Sequence, residues 1–501
     1  MIGQKERSQL ELFISGSLRR LIPDDHVLVR VDRVLDLSWL RDEVAGCYCL
    51  DDGRPGIDPE AAVRLMLAGL LSGIVHDRRL MREAQVNLAI RWFAGYALHE
   101  KLPDHSSLTR IRQRWGPERF KTILSRTVEA CLTARIATGE VIHLDATLIR
   151  ANVSWDAIVE AHADAVLSEL DNTSAPSPEV VTTSKTQRIC RTDPDASLGK
   201  GGRLPRVEPA YKQQTAVDAK KGVILDVEVT TGGVHDSKTL SALDEVPRVT
   251  GRSITIATLD AGYGVARVFA ELEARKIEAI VPTRREPSPK KGVIPARRFK
   301  LDARHDRLRC PRGRHLVPHG EPNAEGLKAY RSSIRDCRPC PLRAVCFSPN
   351  AQRRTVLLNK DHPALLRARR RHLAWTERER TLYASHRARV EGIHGEEKTW
   401  HGLARAVRRG LANMKIQAYL TAAVVNLKRL AAGSVACQSP SNGSQTMAAA
   451  TSLAIPAVSP ATSVLNRGPR PSKVHRATEW PKHSYARSSV TTSTSVHARM
   501  R

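Results

Sequence analysis

The sequence lacks any apolar run long enough to cross a membrane. Hydrophobic residues make up 41% of the 501 residues, but a spanning helix needs about 20 consecutive apolar residues. The first residues, MIGQKERSQLELF, are charged and contain no apolar segment of the kind found in secretory signals. These features argue against a membrane-embedded or secreted protein and predict a soluble cytoplasmic one.

Acidic residues are scarce relative to basic ones. The chain has 80 Lys and Arg residues against 52 Asp and Glu residues, which gives a formal net charge of +28. Such a charge attracts polyanions. No amphipathic Lys-rich helix favours an acidic membrane surface, and much of the charge is carried by Arg, which suits bidentate phosphate contacts. We therefore expect a nucleic acid partner and no membrane partner.

Cysteine is too sparse and too unevenly spread for a secreted disulfide scaffold. Four of the nine cysteines lie in one segment, at Cys310, Cys337, Cys340 and Cys346. A C-x2-C pair with two further cysteines nearby fits a tetrahedral zinc site. The alternative is four reduced cysteines in a small packed subdomain. We predict a structural zinc ion that stiffens this segment and takes no part in catalysis.

Residues 1–135 are predicted to form an all-helical N-terminal domain. The segment PDHSSLTRIRQRWG predicts a helix capped by Ser106 or Ser107. Its apolar positions are predicted to face inward and three arginines outward, namely Arg110, Arg112 and Arg114. Short helices with basic faces are compatible with a helix-turn-helix-like reader of DNA ends, with Arg110 and Arg112 contacting the nucleic acid. A helical bundle that only supports a neighbouring domain is equally compatible.

Residues 138–284 change to a pattern of strands and helices. VIHLDATLI is a nearly continuous apolar strand, and YKQQTAVDAK followed by GVILDVEVT predicts a hairpin turning at Lys220-Lys221-Gly222. DSKTLSALDEV then predicts a helix, SITIATLD a strand, VARVFAELEARK a helix and IEAIVP a short strand. This order is typical of an α/β domain with a mixed central sheet.

Other segments interrupt or follow this pattern. A polar insertion is predicted at 151–210, with a helix in WDAIVEAHADAVLSELD, and a basic, Cys-rich insertion at 285–370. Residues 371–432 predict helices that complete the α/β domain. Residues 433–501 are dominated by Ala, Ser, Thr and Pro, which predicts a disordered low-complexity tail.

Two aspartates stand out because of where the strands place them. Asp145 lies in the middle of an apolar strand, and burying a lone carboxylate costs several kcal/mol unless it is paired or binds a cation. Asp260 ends another strand and is followed by Ala-Gly-Tyr-Gly. The carboxyl ends of strands in open α/β sheets border the functional crevice. Each aspartate alone also fits a turn or a helix cap.

A third acid, Glu391, lies in the helical segment HRARVEGIHGEEKTW. On a helix it shares one face with Arg387, His394 and Lys398. Such a face is often only a ladder of surface ion pairs. It is also what a metal–phosphate site requires, because the acid can bind metal while the cations bind phosphates.

Together these segments resemble the DDE transposases of bacterial insertion sequences. IHLDATLIRAN, TLDAGYG and the R-x3-E-x6-K of the last helix match, in order, that family's two Asp and one Glu. The resemblance extends to GRPG, PDHSSLTRIR, DPDA, YKQQTAVD, His235-Asp236 and RGLANMKIQAYLTAAVVNLKRL, and so covers about residues 10–430. It implies an α/β catalytic domain with a ribonuclease H-like mixed sheet flanked by helices, preceded by an all-α domain.

The resemblance also implies a mechanism. Asp145, Asp260 and Glu391 would bind two Mg²⁺ ions, with Mn²⁺ as a substitute. Arg387 and Lys398 would contact phosphates. The substrates would be double-stranded DNA, namely the terminal inverted repeats of the element and a target DNA. A homodimer on DNA is expected, in the bacterial cytoplasm at the nucleoid, because joining two ends requires two active sites held together.

One residue departs from the family pattern. The family often has a Tyr three residues before the Arg of its last motif, and Ala384 occupies that place here, with Tyr383 one position away. On a helix this shift rotates the ring by about 100°, which puts any supporting role of the tyrosine in doubt.

Two other functions remain as alternatives. One is a catalytically inactive DNA-binding remnant or regulator on the same fold, and the other is a related nuclease or Holliday-junction resolvase. The presence of all three carboxylates favours an active transposase over the first. The N-terminal region and the Arg- and Lys-flanked Glu391 favour it over the second.

Overall fold

The computed structural model describes residues 16–49, 56–154, 158–161, 187–200, 207–284, 293–323 and 326–438. Within these ranges, no helix is both long and apolar enough to cross a membrane.

The N-terminal region is helical, as predicted. Its helices are α1 (Val27–Asp32), α2 (Leu40–Val44), α3 (Pro59–Leu71), α4 (Asp77–Val86), α5 (Leu88–Phe93) and α6 (His105–Thr133). Helix α3 begins where Asp58 accepts a hydrogen bond from the backbone N–H of Glu60 and Pro59 takes the first helical position. Its apolar face is buried in the core.

The predicted serine cap of α6 is wrong. The Asp104 carboxylate accepts a hydrogen bond from the backbone N–H of Ser106 at 2.8 Å, so the helix begins at His105 and both serines lie in its first turn. An aspartate one turn earlier competes for the same backbone donors. A break at Gly116, which has a φ of 68°, followed by Pro117 divides the helix into two segments.

The central sheet is mixed, as predicted. Its strands are β1 (Val141–Arg150), β4 (Ser197–Lys200), β5 (Val207–Asp218), β6 (Ile224–Thr231), β7 (Ile256–Leu259) and β8 (Glu278–Ile280). Strand β5 pairs antiparallel with β1 on one side and with β4 and β6 on the other, and β1, β7 and β8 run parallel. The hairpin from β5 to β6 turns at the predicted residues, where Gly222 has a φ of 70°.

Helices α7 (Ala242–Thr250) and α8 (Ala266–Ala274) follow β6 and β7. The prediction that a helix starts at Asp236 is wrong for its first residues. Asp236–Lys238 forms only one 3₁₀ turn, capped by His235, and the α-helix starts at Ala242.

The predicted polar insertion at 151–210 is shorter than expected. Strand β4 and the start of β5 belong to the central sheet. The helix predicted around residues 155–171 is wrong at Ile158–Ala161, which is strand β2 and pairs with β3 (Gln187–Cys190). Residues 155–157 and 162–186 lie outside the described part of the chain.

The basic, Cys-rich segment forms a second, antiparallel sheet. Its strands, in spatial order, are β9 (Lys300–Asp302), β10 (Arg307–Arg309), β11 (His315–His319), β12 (Leu327–Ser332) and β13 (Thr355–Asn359). Two short helices, α9 (Ile334–Cys337) and α10 (Arg343–Cys346), connect β12 to β13. A small core of its own lies behind this sheet, formed by Phe299, Leu308, Leu316, Tyr330 and Val356.

Helix α11 (His362–Leu373) crosses the predicted boundary at residue 370. It packs against α8 of the central domain, where Arg367 forms an ion pair with Glu273. The insertion therefore ends before α11, at about residue 361.

Two long helices complete the described chain. Helix α12 (Glu377–Trp400) begins with a capping box formed by Thr376 and Glu379. Helix α13 (Leu411–Gln438) packs against α6 and β6. Because α13 continues to Gln438, the predicted start of disorder at residue 433 is wrong for residues 433–438. Residues 439–501 lie outside the described ranges.

Candidate active site

The pairing of two parallel strands places Asp145 beside Asp260. In β1 and β7, Leu144 is the direct partner of Leu259, and each is followed by one of the two aspartates. Neighbouring strands lie about 4.8 Å apart. Asp145, in the middle of β1, and Asp260, directly after β7, therefore occupy neighbouring positions across the two strands.

Both aspartates are held where ionisation is unfavourable. Burial raises the pKa of Asp145 to about 7, and the charges of Asp260, Asp236 and Glu391 act in the same direction against one backbone hydrogen bond. Burial also raises the pKa of Asp260, although the backbone N–H of Gly262 donates to its carboxylate at 2.7 Å. A divalent cation between them would offset this cost.

Helix α12 lies across the face of the sheet that carries Asp145. Its side chains contact one residue on each of three neighbouring strands: His386 to Thr258 (2.9 Å), His394 to Thr215 (3.1 Å) and Lys398 to Thr147 (2.5 Å). Thr215 is the direct partner of Asp145 in β5. Glu391 lies between the first two contacts along the helix, on the part of α12 that covers β1.

Glu391 itself turns toward solvent. Its side chain is 60% exposed and accepts a hydrogen bond at 2.9 Å from Arg387, which is 68% exposed. In the described parts of the chain, no three His, Cys, Asp or Glu side chains converge closely enough to bind a metal ion. The structure therefore places Asp145 and Asp260 on neighbouring strands. Glu391 instead forms an ion pair with Arg387.

The chemistry of the donors nevertheless fits a hard divalent cation. Asp145, Asp260 and Glu391 offer only carboxylate oxygens, which Mg²⁺ and Mn²⁺ prefer over nitrogen or sulfur. Asp145 accepts a hydrogen bond only from the backbone N–H of Ala146 among the contacts of the described residues. Its buried negative charge has no cationic side chain within ion-pair distance there.

The predicted cationic face of α12 divides into two parts. Arg387 is exposed, whereas Lys398 is largely covered by the sheet and burial lowers its pKa. His394 is buried, and burial lowers its pKa to about 3, so the imidazole is neutral. His394 therefore adds no positive charge to the helix face that it shares with Glu391, because the sheet excludes water from that part of the helix.

A layer of buried polar side chains lies between α12 and the sheet, and the sequence did not predict it. Glu397 is fully buried, accepts hydrogen bonds from Gln213 at 3.2 and 3.3 Å, and burial raises its pKa to about 8. His143 and Thr258 form a second part of this layer, 2.6 Å apart. The alternation of His143, Asp145 and Thr147 along β1 was a usable signal, because every second strand residue faces the same side.

Tyr383 faces the site although it is shifted by one position from the family pattern. Its ring stacks on His386 at 5.9 Å, and burial together with the charges of Asp260 and Asp145 raises its pKa. Ala384, which occupies the family's tyrosine position, is exposed. The shift therefore turns the ring toward the carboxylates and not toward solvent.

The two arginines predicted to contact DNA from α6 differ. Arg110 is exposed. Arg112 is only 6% exposed and donates to both oxygens of Asp77, at 2.7 and 3.0 Å. Arg408 contacts the same carboxylate. The prediction that Arg112 faces outward and binds nucleic acid is therefore wrong, because Asp77 on α4 fixes its guanidinium inside the protein.

His235 and Asp236 have separate roles in the 3₁₀ turn after β6. His235 caps the turn, because its Nδ1 accepts a hydrogen bond from the backbone N–H of Ser237 at 3.2 Å. The Asp236 carboxylate lies 2.6 Å from the Lys212 ammonium. Its negative charge contributes to the raised pKa of Asp145 and of Asp260. Asp236 thus belongs to the acidic site, and His235 shapes the loop.

The four clustered cysteines line one cavity of about 140 Å³ behind the second sheet. Burial raises the pKa of Cys346, and the other three thiols add to this effect while Arg354 opposes it. The Cys337 sulfur contacts the Ser332 hydroxyl at 3.0 Å. The thiols converge on one place, but within the described residues they are not drawn together to coordination distance.

Two segments of the chain match known protein families. The family described as Transposase domain (DUF772) matches residues 16–114, and the family described as Transposase DDE domain matches residues 309–431. Over these two segments the chain is similar to the DDE transposases. These are DNA-cleaving and strand-transfer enzymes that typically depend on divalent metal ions. The helical region followed by a mixed sheet flanked by helices is consistent with the ribonuclease H-like fold of such transposases.

Solved structures of transposases show a weak likeness to this chain. A piggyBac transposase synaptic complex with hairpin DNA is 10% identical, covers 81% of this chain and 73% of its own, and has a TM-score of 0.31. A Mos1 transposase paired-end complex with the left transposon end is 14% identical, covers 48% and 65%, and has a TM-score of 0.15. No curated protein matches the sequence significantly.

Proposed function

We propose that the protein catalyses transposition of an insertion sequence by hydrolysing phosphodiester bonds at the ends of the element and joining those ends to target DNA. Asp145, Asp260 and Glu391 are the proposed catalytic residues. The observation that supports this most strongly is the placement of Asp145 and Asp260 at neighbouring positions of the parallel pair β1 and β7. Their raised pKa values reflect a site that favours a bound cation.

The proposed cofactor is a pair of Mg²⁺ ions, for which Mn²⁺ can substitute. When bound, such ions lower the pKa of the attacking hydroxyl and stabilise the leaving oxygen. Asp145 and Asp260 would hold them from the sheet. Glu391 would join by releasing Arg387 and turning inward, a change open to an exposed side chain at little cost.

The basic residues around the site have proposed roles in DNA binding. Arg387, once released by Glu391, would contact a phosphate next to the cleaved bond. Lys398 already donates to Thr147 on β1, so it would hold the helix on the sheet and reach a phosphate only at the edge of the site. Arg110 would contact the DNA end from the exposed side of α6. The partners are thus terminal inverted repeats and target DNA, with two copies of the chain assembled on them.

DNA cleavage and joining test this proposal. The purified protein should cleave the inverted repeats that flank its own gene in Mg²⁺ or Mn²⁺ and join them to a second DNA. Asp145→Asn should abolish both steps, whereas Asp244→Asn, at a solvent-exposed ion pair with Arg275, should leave them unchanged. Binding of the repeats without cleavage by the unaltered protein would favour the inactive remnant. Cleavage without joining would favour a nuclease.

The cysteine cavity supports a structural zinc ion as a separate proposal. Thiolates are soft donors that suit Zn²⁺, and all four cysteines line the same cavity. The purified protein should contain about one zinc per chain, and Cys337→Ser should release it. Cys47→Ser, a half-buried cysteine outside the cluster, serves as the control. Equal zinc content in both variants would contradict the proposal.

A further inference from the structure

A fourth carboxylate, Asp236, lies against the turn that follows Asp260. The 3₁₀ turn Asp236–Lys238 contacts the 3₁₀ turn Ala261–Tyr263, which Asp260 caps. The charge of Asp236 acts on Asp145 more strongly than that of Glu391 does, and it also acts on Asp260. The contact between the two turns thus places Asp236 beside the Asp145–Asp260 pair, although the three carboxylates of the described residues do not converge to metal-binding distance without a cation.

Strand β5 holds Asp236 in this place. Gln214 donates a hydrogen bond to the backbone carbonyl of Asp236 at 2.8 Å, and Gln214 is the direct partner of Ala146, the residue after Asp145. The Lys212 ammonium lies 2.6 Å from Asp236 Oδ1. This oxygen is buried, yet its geometry gives an ion pair and no hydrogen bond from any described residue. Lys212 therefore supplies charge to Asp236 without satisfying its lone pairs.

Tyr263 provides an independent observation at the same place. Its side chain is 0% exposed, and its hydroxyl finds no hydrogen-bond partner among the described residues. The charges of Asp236, Asp145 and Asp260 all act on this hydroxyl. A buried hydroxyl without a partner is rare in folded proteins, because burial removes its hydrogen bonds to water. A buried hydroxyl without a partner, in the turn that Asp260 caps, is suited to bind a water molecule of a hydrated cation.

We propose that Asp236 is a ligand of the divalent-cation site, together with Asp145 and Asp260, and that the Tyr263 hydroxyl binds the hydration shell of the cation. Lys212 acts as the counter-charge of Asp236 until the cation replaces it. This inference rests on the proposed function, because it concerns the same site. It adds a ligand to the expected acids and assigns Lys212 and Tyr263 a part in cation binding.

Binding of Mn²⁺ to the full-length protein, without DNA, tests this inference. The electron paramagnetic resonance signal of free Mn²⁺ reports the affinity of each variant. Asp236→Asn should weaken binding at least tenfold, and Tyr263→Phe about threefold. Asp244→Asn, which removes an exposed carboxylate paired with Arg275, should not change it. An affinity of Asp236→Asn within twofold of the unaltered protein would overturn the inference.

A second variant keeps the test valid if Asp236→Asn does not fold. Lys212→Met leaves the carboxylate in place and removes its counter-charge, so the inference predicts at least threefold tighter Mn²⁺ binding. Unchanged or weaker binding would contradict it, since a merely structural ion pair gives no gain. Asp145→Asn and Asp260→Asn separate the two proposals. If both bind Mn²⁺ like the unaltered protein, the proposed function itself fails; if only Asp236→Asn does, the further inference alone fails.

Discussion

At the scale of single residues, Asp145 shows how the fold raises the pKa of a candidate catalytic acid. Its strand neighbours Leu144 and Ala146 offer no polar side chain, and the sheet and α12 keep most water away from its carboxylate. Burial and nearby acids therefore raise its pKa to about 7. A group with a raised carboxyl pKa stabilises the fold at low pH and destabilises it as pH rises from about 4 to about 7.

The first prediction concerns the stability of Asp145→Asn. In metal-free buffer at pH 8 this variant should unfold at a higher temperature than the unaltered protein. Its free energy of unfolding should be larger by roughly 1–3 kcal/mol. The reason is that the amide carries no charge to bury. At pH 4 the two proteins should have equal stability in calorimetry. Mg²⁺ should stabilise only the unaltered protein. A destabilised variant at pH 8 would contradict this account.

The second prediction concerns Glu397, which has no role in the proposed mechanism. Its pKa is raised from 4.5 to about 8 by burial, so its contribution to stability is present below pH 4.5 and is lost as pH rises through 8. Glu397→Gln keeps the contact with Gln213 and removes the charge. The urea midpoint of this variant should exceed that of the unaltered protein at pH 8 and equal it at pH 4.5.

The neighbouring residue Glu396 provides the control for this prediction. Burial alone would raise its pKa, but hydrogen bonds from His401 and Lys428 and the charge of Arg429 hold the pKa below its usual range. Glu396→Gln should therefore lower stability at neutral pH. The same sign for both variants at pH 8 would show that the network, and not the two pKa shifts, controls stability.

The sequence singled out the candidate acids but did not reveal the contacts around them. Asp145 and Asp260 stand out because a carboxylate in or after an apolar strand needs an explanation. Arg112 was misplaced because its partner Asp77 lies 35 residues away, and no local pattern reveals such a pair. The position of Glu391 on its ion pair with Arg387 is likewise a matter of side-chain rotation, which sequence spacing leaves open.

At the scale of elements, the contact between α4 and α6 depends on a buried ion pair. Arg112 and Arg408 counter the effect of burial on Asp77 and hold its pKa below the usual range. Removing one partner of such a group leaves charge that is only partly compensated. We therefore expect this contact to contribute to folding.

The third prediction compares the two arginines of α6. Arg112→Ala should lower the free energy of unfolding by about 3 kcal/mol without changing DNA affinity at a temperature where the variant is folded. Arg110→Ala should change stability by less than about 0.5 kcal/mol and should weaken binding to DNA ends. Urea unfolding and gel-shift titration measure the two effects. A DNA-binding defect in Arg112→Ala alone would contradict the placement of both side chains.

Elements with strong patterns were predicted and elements without them were not. The apolar strands β1 and β7 and the hairpin of β5 and β6 follow from their composition. Strand β4 (Ser197–Lys200) was missed because the polar sequence SLGK carries no apolar signal and is defined by its pairing with β5. The end of α13 was missed because its last residues resemble the tail in composition, while Leu430 and Ala431, just before them, are buried.

At the scale of the whole molecule, the N-terminal helices and the central sheet share one hydrophobic core. One continuous cluster of buried residues includes Leu65 of α3, Trp115 of α6, Leu144 of β1 and Val424 of α13. His401 contacts the backbone carbonyl of Leu70 at 2.8 Å. The sequence could not reveal this, because the pattern of each helix shows that one face is buried but not against which partner.

The fourth prediction concerns the tail. Deletion of residues 439–501 should leave the melting temperature and DNA cleavage unchanged, because the core cluster is complete within the described residues up to Ala431. Deletion from residue 411, which removes α13, should prevent folding and serves as the contrasting variant. Loss of cleavage by the shorter deletion, with an unchanged melting temperature, would show that the tail contributes to DNA binding or assembly.

The central claim is that Asp145, Asp260 and Glu391 bind the catalytic metal ions, and a change in metal preference tests it most directly. Cysteine offers a soft sulfur donor that Mg²⁺ binds poorly and Mn²⁺ accepts more readily. Cleavage of the DNA ends by Asp145→Cys, Asp260→Cys and Glu391→Cys should be lost in Mg²⁺ and partly restored in Mn²⁺. Glu377→Cys, at an exposed glutamate of the same helix, should be active in both. Equal loss of cleavage in both metals for all three variants, or full activity in Mg²⁺ for any of them, would contradict the claim.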